Sequence, residues 1–179
     1  RTARNIISQY ADSSFKPMQM EFVFGQNGIS PILLELADGT FVYLQGRIDR
    51  IDMTADGAVR IIDYKSGGKK FDPTLVYWGL QLQLLLYMAA AVARIPESRA
   101  AGFFYCRVAD PTVKTEIRMK EEVEKQIAKK LALSGITLSD VSILRAQGGA
   151  QAGMVTKDGK PNGRYASSMV TDEGMEHLI

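Results

Sequence analysis

The sequence predicts an α/β domain in which a mixed central β-sheet is flanked by helices. Segments that alternate between apolar and polar residues, as strands do, fill most of the chain up to residue 65. A long apolar segment of helical character follows them, and strand-like segments resume after it. Because 46% of the 179 residues are hydrophobic, the chain can build one substantial core, and we expect a single domain over residues 1–179.

The first part of the chain predicts a short helix and then a β-meander. Apolar residues at helical spacing predict the helix over Thr2–Phe15, and Lys16-Pro17 ends it. Asp38-Gly39 and Asp56-Gly57 suit tight hairpin turns, because glycine tolerates positive φ. Four segments around these turns have the alternation or composition of strands: residues 18–25, 32–36, 41–53 and 59–65.

The second part predicts a long buried helix followed by further strands. Asp72 as N-cap and Pro73 at the first helical position start the helix, which we expect to reach Arg94. Its apolar residues lie nearly all round, which indicates burial on more than one face. Beyond it the sequence predicts strands over 101–108 and 112–119, an amphipathic helix over 121–133, and a helical pattern that includes Ile179. The glycine-rich segment 147–164 fits either a loop or a hairpin turning at Asp158-Gly159.

Composition narrows the class of protein. The 22 Lys and Arg against 20 Asp and Glu leave a formal net charge of +2, which permits nucleic-acid binding without indicating it. The single cysteine, Cys106, excludes an internal disulfide, and no secretory or membrane-spanning segment is evident. We therefore expect a protein of the cytoplasm with no membrane partner. The start at Arg1 and the end inside a helical pattern lead us to expect a piece of a longer protein.

Three charged residues on neighbouring predicted strands indicate a metal site. Alternation places Asp49 on the polar face of its strand, while Asp63 and Lys65 share one face of the next strand. Two carboxylates with a nearby backbone carbonyl suit Mg²⁺ or Mn²⁺, which can polarise a phosphate and acidify an attacking water. Lys65 can then orient that water or stabilise the charge on the phosphate oxygens. We therefore predict a metal-dependent nuclease site; the alternative is a solvated strand edge followed by a surface loop.

Three stretches carry a resemblance to a known family. Residues 46–52 have the sequence GRIDRID, residues 62–67 IDYKSG and residues 79–87 GLQLQLLLY. They resemble the RecB-like branch of the PD-(D/E)XK nuclease superfamily. Within that branch the chain is similar to the C-terminal nuclease domains of AddB-type proteins of bacterial AddAB helicase-nucleases, and the similarity continues through residues 101–105 and 135–138.

The resemblance implies a fold and a function. The fold is the restriction-endonuclease-like core, and the activity is exonucleolytic hydrolysis of DNA by a Mg²⁺- or Mn²⁺-dependent domain of a helicase-nuclease in double-strand break repair and recombination. The implied partners are single-stranded DNA and an AddA-like subunit, in the bacterial cytoplasm. Two alternatives stay open: a nuclease-like module without chemistry that guides DNA or docks a partner protein, and a free-standing RecB-like exonuclease of the Cas4 type.

The resemblance also assigns roles to individual residues. It gives the metal ligands as Asp49, Asp63 and the backbone carbonyl of Tyr64, and the catalytic lysine as Lys65. The family's Gln-x-x-x-Tyr element falls on Gln83 and Tyr87, which lie at i and i+4 on one helix face and can meet the metal-bound water or the DNA. Without the family, this pair would be assigned to the margin of a packed helix. Tyr77 and Gln81 have the same spacing and are rivals for the role.

Several further residues are weaker candidates. Glu21 resembles an acidic position that precedes the metal aspartates in this branch, although it could instead form an ion pair with a neighbour such as Arg47. Lys69 and Lys70 follow the catalytic lysine and can contact DNA phosphates, as can three basic residues of the glycine-rich segment, although each is equally consistent with a solvated surface: Lys157, Lys160 and Arg164.

Two departures from the family limit the assignment. The RecB-like pattern includes a histidine on a helix before the first strand, whereas the only histidine here is His177. AddB-type domains hold an iron–sulfur cluster through four cysteines, which this chain cannot support with Cys106 alone. We expect Cys106 to be a small buried apolar residue and the chain on its own to cleave DNA weakly at most.

Overall fold

A computed structural model of the chain describes residues 7, 13–26, 30–108, 120–148, 153–163 and 168–179. Its strands are β1 (Lys16–Phe24), β2 (Ile32–Glu35), β3 (Phe41–Leu44), β4 (Gly46–Met53), β5 (Ala58–Lys65), β6 (Arg99–Arg107), β7 (Ser134–Leu138) and β8 (Met169–Val170). Its helices are α1 (Pro73–Tyr77), α2 (Gln83–Val92), α3 (Lys120–Leu131), α4 (Val141–Ala146) and α5 (Asp172–Leu178).

A mixed six-stranded sheet with the order β1-β4-β5-β6-β7-β8 forms the centre of the described chain. The β5–β6 and β7–β8 pairs are parallel, and the other neighbours are antiparallel. The connection from β5 to β6 contains α1 and α2, as a crossover between parallel strands requires. The sheet and its flanking helices confirm the predicted fold class.

The predicted strand over Phe41–Met53 is wrong in one respect, because the structure divides it into two strands. β3 pairs with β2 in a separate two-stranded sheet, whereas β4 enters the central sheet at Gly46. A Cβ at Gly46 would lie 2.8 Å from the ring of Phe24, so glycine allows the close approach of β1 at this point. The alternation of apolar residues continues across the break at Gln45, and for this reason it predicts one strand.

The predicted helix from Asp72 to Arg94 is likewise two helices. Its start is confirmed, since the Asp72 side chain accepts a hydrogen bond from the Thr74 backbone at 2.9 Å. The chain leaves the helix after α1, and Gly79 adopts φ +73, a conformation that ends helices and that glycine adopts without strain. The break leaves four apolar side chains exposed: Tyr77, Trp78, Leu80 and Leu82.

Other predicted elements fall close to their expected places. β1, β2, β5, β6 and α3 match the predicted segments to within two residues at each end, and α5 covers the helical pattern before Ile179. Val155 and Pro161 form a β-bridge around a turn with Gly159 at φ +74, so the described part of the glycine-rich segment is a hairpin. The predicted strand 112–119, Arg164 and most of the predicted helix Thr2–Phe15 lie outside the described residues.

One apolar core lies between α2 and the sheet. Helix α2 contributes Leu84, Leu85 and Met88, which pack with buried side chains of the strands such as Ile61 and Phe103. Fully burying each such side chain stabilises the fold by roughly 1.5–3 kcal/mol, so this packing fixes α2 firmly against β5. Cys106 is fully buried, as the sequence predicts. No helix in the described part of the chain is long and apolar enough to cross a membrane.

Candidate functional site

The hairpin of β4 and β5 brings the two predicted acidic ligands to one place. Backbone pairing between these strands ends at Arg50 and Ile62, one residue short of Asp49 and Asp63. Beyond that point the amide of Tyr64 donates to Asp49 Oδ2 at 2.8 Å instead of to a backbone carbonyl. The side chain of Asp49 is therefore oriented by the strand that carries Asp63.

The carbonyl of Tyr64 is directed to the same side. The next carbonyl along the strand, that of Lys65, accepts a hydrogen bond from the Val108 amide of the β6 side at 3.0 Å. Successive carbonyls of a strand point in opposite directions, so the carbonyl of Tyr64 points away from β6 and toward β4. This direction is the one that the predicted role of the carbonyl as a metal ligand requires.

Lys65 connects Asp63 to helix α2. Its Nζ lies 2.6 Å from Asp63 Oδ2 and donates to Gln83 Oε1 at 3.0 Å. Gln83 in turn donates through Nε2 to the hydroxyl of Tyr87 at 3.0 Å, one helical turn further on. The side chain of Asp63 is 4% exposed and that of Lys65 24% exposed, so the carboxylate is buried while the lysine side chain is partly accessible.

Gln83 and Tyr87 are thus the Gln-x-x-x-Tyr pair that the structure places beside Lys65. Their rivals lie elsewhere. Gln81 donates to the carbonyl of Lys70 at 3.2 Å and accepts from the Asp72 amide at 3.1 Å, so it fastens the segment after β5 to the start of α2. Tyr77 is 82% exposed.

Burial dominates the electrostatics of the site. It raises the pKa of the Asp63 carboxyl above its ordinary value of 3.8, and the charge of Asp49 acts in the same direction, whereas Lys65 and Lys69 oppose the rise. Burial also raises the pKa of Tyr105, and the charge of Asp63 adds to that effect. The ionised form of Asp63 is therefore incompletely compensated by the residues around it, and a further cation would stabilise it.

The donor atoms fit a hard divalent cation. Two carboxylates and a backbone carbonyl are oxygen ligands of the kind that Mg²⁺ and Mn²⁺ prefer. Within the described residues no group of three or more His, Cys, Asp and Glu side chains is placed to hold a metal. Mg²⁺ is commonly bound through one or two carboxylates, with water and substrate phosphate completing its shell, so a pair of aspartates is within the number of ligands that it uses.

Glu21 lies near this site in the sheet but is not joined to it. Met20 and Phe22 pair with Arg50 and Ile48, so the backbone of Glu21 runs opposite Asp49. Its φ of 51 is left-handed, a strained conformation for a residue with a side chain. The side chain of Glu21 is 71% exposed and lies 3.9 Å from Arg47, which is the ion pair that the sequence left open as the alternative.

The structure adds Tyr105 to the residues found from the sequence. Tyr105 pairs with Asp63 in the parallel register of β5 and β6, and the Nζ atoms of Lys65 and Lys69 lie 5.3 Å and 5.0 Å from its ring centroid. It sits in an apolar run, AAGFFYC, so the sequence pattern assigns it to the core. Only the pairing of β6 with β5 shows that it contacts the site.

Comparison with known proteins places the chain in a family. The sequence profile of the PD-(D/E)XK nuclease superfamily matches residues 1–152. An ATP-dependent helicase/deoxyribonuclease subunit of Alkaliphilus metalliredigens is 45% identical, in an alignment that covers 73% of this chain and 12% of that protein. The proteins of the same name from Acetivibrio thermocellus and Clostridium botulinum are 43% and 40% identical, in alignments that cover 74% and 92% of this chain. The chain spans only 12% to 16% of the length of these relatives.

Proposed function

Because this chain belongs to the PD-(D/E)XK nuclease superfamily, we propose that it hydrolyses phosphodiester bonds of DNA with Mg²⁺ or Mn²⁺. The observation that carries the proposal is the grouping of Asp49, Asp63 and Lys65, in which the Lys65 ammonium lies 2.6 Å from Asp63 and the Asp49 carboxylate is oriented by the amide of Tyr64. These are the side chains that such hydrolysis needs: two oxygen ligands for a cation and one positive group for the phosphate.

Each residue has a defined task in this proposal. Asp49 and Asp63 would hold the cation, with the carbonyl of Tyr64 on the same side. A bound divalent ion supplies a Lewis acid that polarises the scissile phosphate and acidifies water. Lys65 directs its ammonium toward the phosphate oxygens or the attacking water, and Gln83 holds that ammonium in place through the 3.0 Å hydrogen bond.

The wider role proposed is that of the nuclease domain in an AddAB-type helicase-nuclease. The relatives from Alkaliphilus, Acetivibrio and Clostridium are named as helicase/deoxyribonuclease subunits, and the chain corresponds to a small part of each. In this role residues 1–179 would be one domain of a larger protein of the bacterial cytoplasm. It would act as an exonuclease on single-stranded DNA in repair and recombination, together with an AddA-like partner.

A cleavage assay tests the activity. The chain is incubated with linear single-stranded DNA and Mg²⁺ or Mn²⁺, alongside Asp63→Ala and Lys65→Ala, under conditions that detect weak turnover. We expect each substitution to slow cleavage by about 100-fold or more, and EDTA to abolish it, because each removes a group that stabilises the transition state. Asp158→Ala and Lys16→Ala make the same changes at exposed positions and serve as matched controls.

The outcomes separate the candidate functions. Equal cleavage by the wild type and by both site variants would contradict the proposed mechanism. Tight DNA binding without cleavage under either metal would favour a module that guides DNA without chemistry. A closed circular single-stranded substrate tests the exonuclease part of the proposal, because an exonuclease needs a strand end and should leave the circle intact. Duplex DNA of the same sequence tests the preference for single strands.

A further inference from the structure

A basic cavity of about 180 Å³ opens beside the candidate metal site, where the segment after β5 meets the end of β6 and the start of β7. Its polar lining consists of Lys69, Lys70, Tyr105, Arg107, Lys130 and Ser134. Four of these six side chains are cationic, and none of the described residues that line the cavity is acidic. The charge of the cavity therefore favours an anion.

Two buried donor atoms in this lining have no acceptor among the residues that the structure describes. The hydroxyl of Tyr105 and Nε of Arg107 are both shielded from solvent, and neither has a hydrogen-bond partner within the described part of the chain. Leaving a buried donor unpaired is costly, because the group loses its hydrogen bonds to water, so such groups are normally satisfied by a partner or a ligand. Ser134 Oγ already accepts from the Phe71 amide at 2.9 Å, which leaves its hydroxyl hydrogen available to donate.

The two donors that lack acceptors in the described chain lie among cationic side chains. Such a lining suits a ligand that only accepts hydrogen bonds. A phosphate group is such a ligand, since its oxygens accept from guanidinium, ammonium and hydroxyl groups. An uncharged or cationic ligand would bring no opposite charge to the four cationic side chains of the lining.

The ring of Tyr105 lies between the cavity and the candidate metal site. Tyr105 pairs with Asp63, and Arg107 with Lys65, in the parallel register of β5 and β6. The ring of Tyr105 is approached by Lys65 at 5.3 Å from the metal site and by Lys69 at 5.0 Å from the cavity lining. A strand whose scissile phosphate reaches Lys65 thus has another phosphate within reach of the cavity.

We propose that the basic cavity binds a second phosphate group of the DNA strand being cleaved, and thereby sets the position of the cut relative to that phosphate. The inference rests on the proposed nuclease function. The phosphate can be an internal one of the backbone or a monoester at a strand end, because both present the same acceptor oxygens.

Binding measured in EDTA tests the cavity without any cleavage. The probe is a 3′-labelled oligothymidine with a 5′-phosphate or a 5′-hydroxyl. Its binding is measured by fluorescence anisotropy at several salt concentrations. Arg107→Gln should weaken binding roughly tenfold and lower the salt slope by about one, because one charged phosphate contact is lost. Tyr105→Phe removes only the hydroxyl and should weaken binding by about three- to tenfold. Arg145→Gln removes the same charge from the exposed surface of α4 and should bind as the wild type does.

The two DNA ends distinguish the source of the phosphate. A loss seen only with the 5′-phosphorylated strand assigns the cavity to a strand end, whereas equal losses with both strands assign it to the backbone. In Mg²⁺ or Mn²⁺, Arg107→Gln should also shift the lengths of the cleavage products. Thermal melting, monitored by circular dichroism, checks that the variants fold. If Arg107→Gln does not fold, the comparison of Tyr105→Phe with the wild type tests the proposal by itself.

The failure of this inference differs from the failure of the proposed function. If Arg107→Gln and Tyr105→Phe bind DNA as tightly as Arg145→Gln does, or if the wild type does not bind DNA in EDTA, the cavity is not a phosphate site, whatever the cleavage assay shows. A wild-type chain that binds through the cavity in EDTA but cleaves with neither metal supports the cavity and contradicts the nuclease function.

Discussion

The hairpin of β4 and β5 carries two clusters of charged residues that have opposite characters. The first, here called the buried arginine cluster, consists of Arg50, Asp52 and Arg60, whose side chains are fully buried. Asp52 lies 2.8 Å from Nε of both arginines, so each carboxylate oxygen faces a guanidinium group. The second, the site cluster, consists of Asp49, Asp63 and Lys65.

The two clusters differ in the balance of their acidic and basic groups. Arg60 extends the buried cluster to Gln147 Oε1 at 3.0 Å, and Gln147 donates onward to Thr137 at 3.0 Å, so a hydrogen-bonded network encloses Asp52. In the site cluster, Asp63 has a raised pKa despite its contact with Lys65. Burial of charge therefore does not by itself mark a functional site in this hairpin. What distinguishes the site cluster is its balance of charge, because its two carboxylates share one ammonium group, whereas in the buried arginine cluster two guanidinium groups share one carboxylate.

The largest expected effect is the loss of stability on breaking the buried arginine cluster. Asp52→Ala leaves two buried guanidinium groups without their carboxylate, which should cost about 3–5 kcal/mol of the free energy of unfolding. Urea denaturation measures this. Asp56→Ala is the matched control, because Asp56 pairs with Arg99 at 2.7 Å on the exposed surface, where the loss should be small. Similar losses for both variants would mean that Asp52 is not the centre of a structural network.

The next effect concerns the site cluster and should appear in activity instead of stability. Asp49→Asn retains an oxygen that can accept the 2.8 Å hydrogen bond from Tyr64 but removes the charge that would bind the metal. We expect DNA cleavage to slow by about 100-fold, which is roughly 2.7 kcal/mol in the barrier, with little change in melting temperature. A variant that unfolds as readily as Asp52→Ala, or that cleaves normally, would remove the distinction between the two clusters.

A smaller effect is expected where the two clusters meet. Arg50 Nη1 donates to the hydroxyl of Tyr64 at 2.7 Å, while the backbone of Tyr64 belongs to the site. Tyr64→Phe keeps the backbone and removes this hydrogen bond, so it should lower the free energy of unfolding by roughly 1–2 kcal/mol and leave the metal concentration for half-maximal cleavage unchanged. Tyr77→Phe, at an exposed ring, is the control. A large change in metal requirement would assign the hydroxyl to the site.

The smallest expected effect is a gain in stability instead of a loss. Because the folded-state pKa of Asp63 lies above its unfolded value of 3.8, its contribution to stability is fully present below that value and is lost as the pH rises through the raised pKa. Asp63→Asn cannot ionise, so in EDTA at pH 7 it should melt at a higher temperature than the wild type.

Two further measurements check this sign. The difference in melting temperature between Asp63→Asn and the wild type should narrow as the pH falls toward the ordinary carboxyl range. Mn²⁺ should then raise the melting temperature of the wild type but not that of Asp63→Asn, since a ligand stabilises only the form that binds it. A metal-free Asp63→Asn that melts below the wild type at pH 7 would show that Lys65 fully compensates the buried charge.

The grouping of Asp49, Asp63 and Lys65 can be predicted from the sequence because its signal is local. Asp63 and Lys65 interrupt an apolar strand two residues apart, and a short turn pairs that strand with the one that carries Asp49. Breaks within long apolar patterns leave a weaker signal, so the divisions at Gln45 and Gly79 are missed. The basic cavity is missed for another reason, since Tyr105 and Arg107 reach the site only through the pairing of β5 with β6 across the intervening helices.

The break between α1 and α2 gives the chain a built-in optical reporter. Trp78 is its single tryptophan, it is 69% exposed, and its ring meets that of Tyr77 edge-on at 5.2 Å. Because the indole is already in water, its emission should shift little in wavelength when the core opens, and unfolding is better followed by circular dichroism. Any macromolecule that covers this part of the surface should instead shift or quench the emission, so the intrinsic fluorescence separates docking from denaturation.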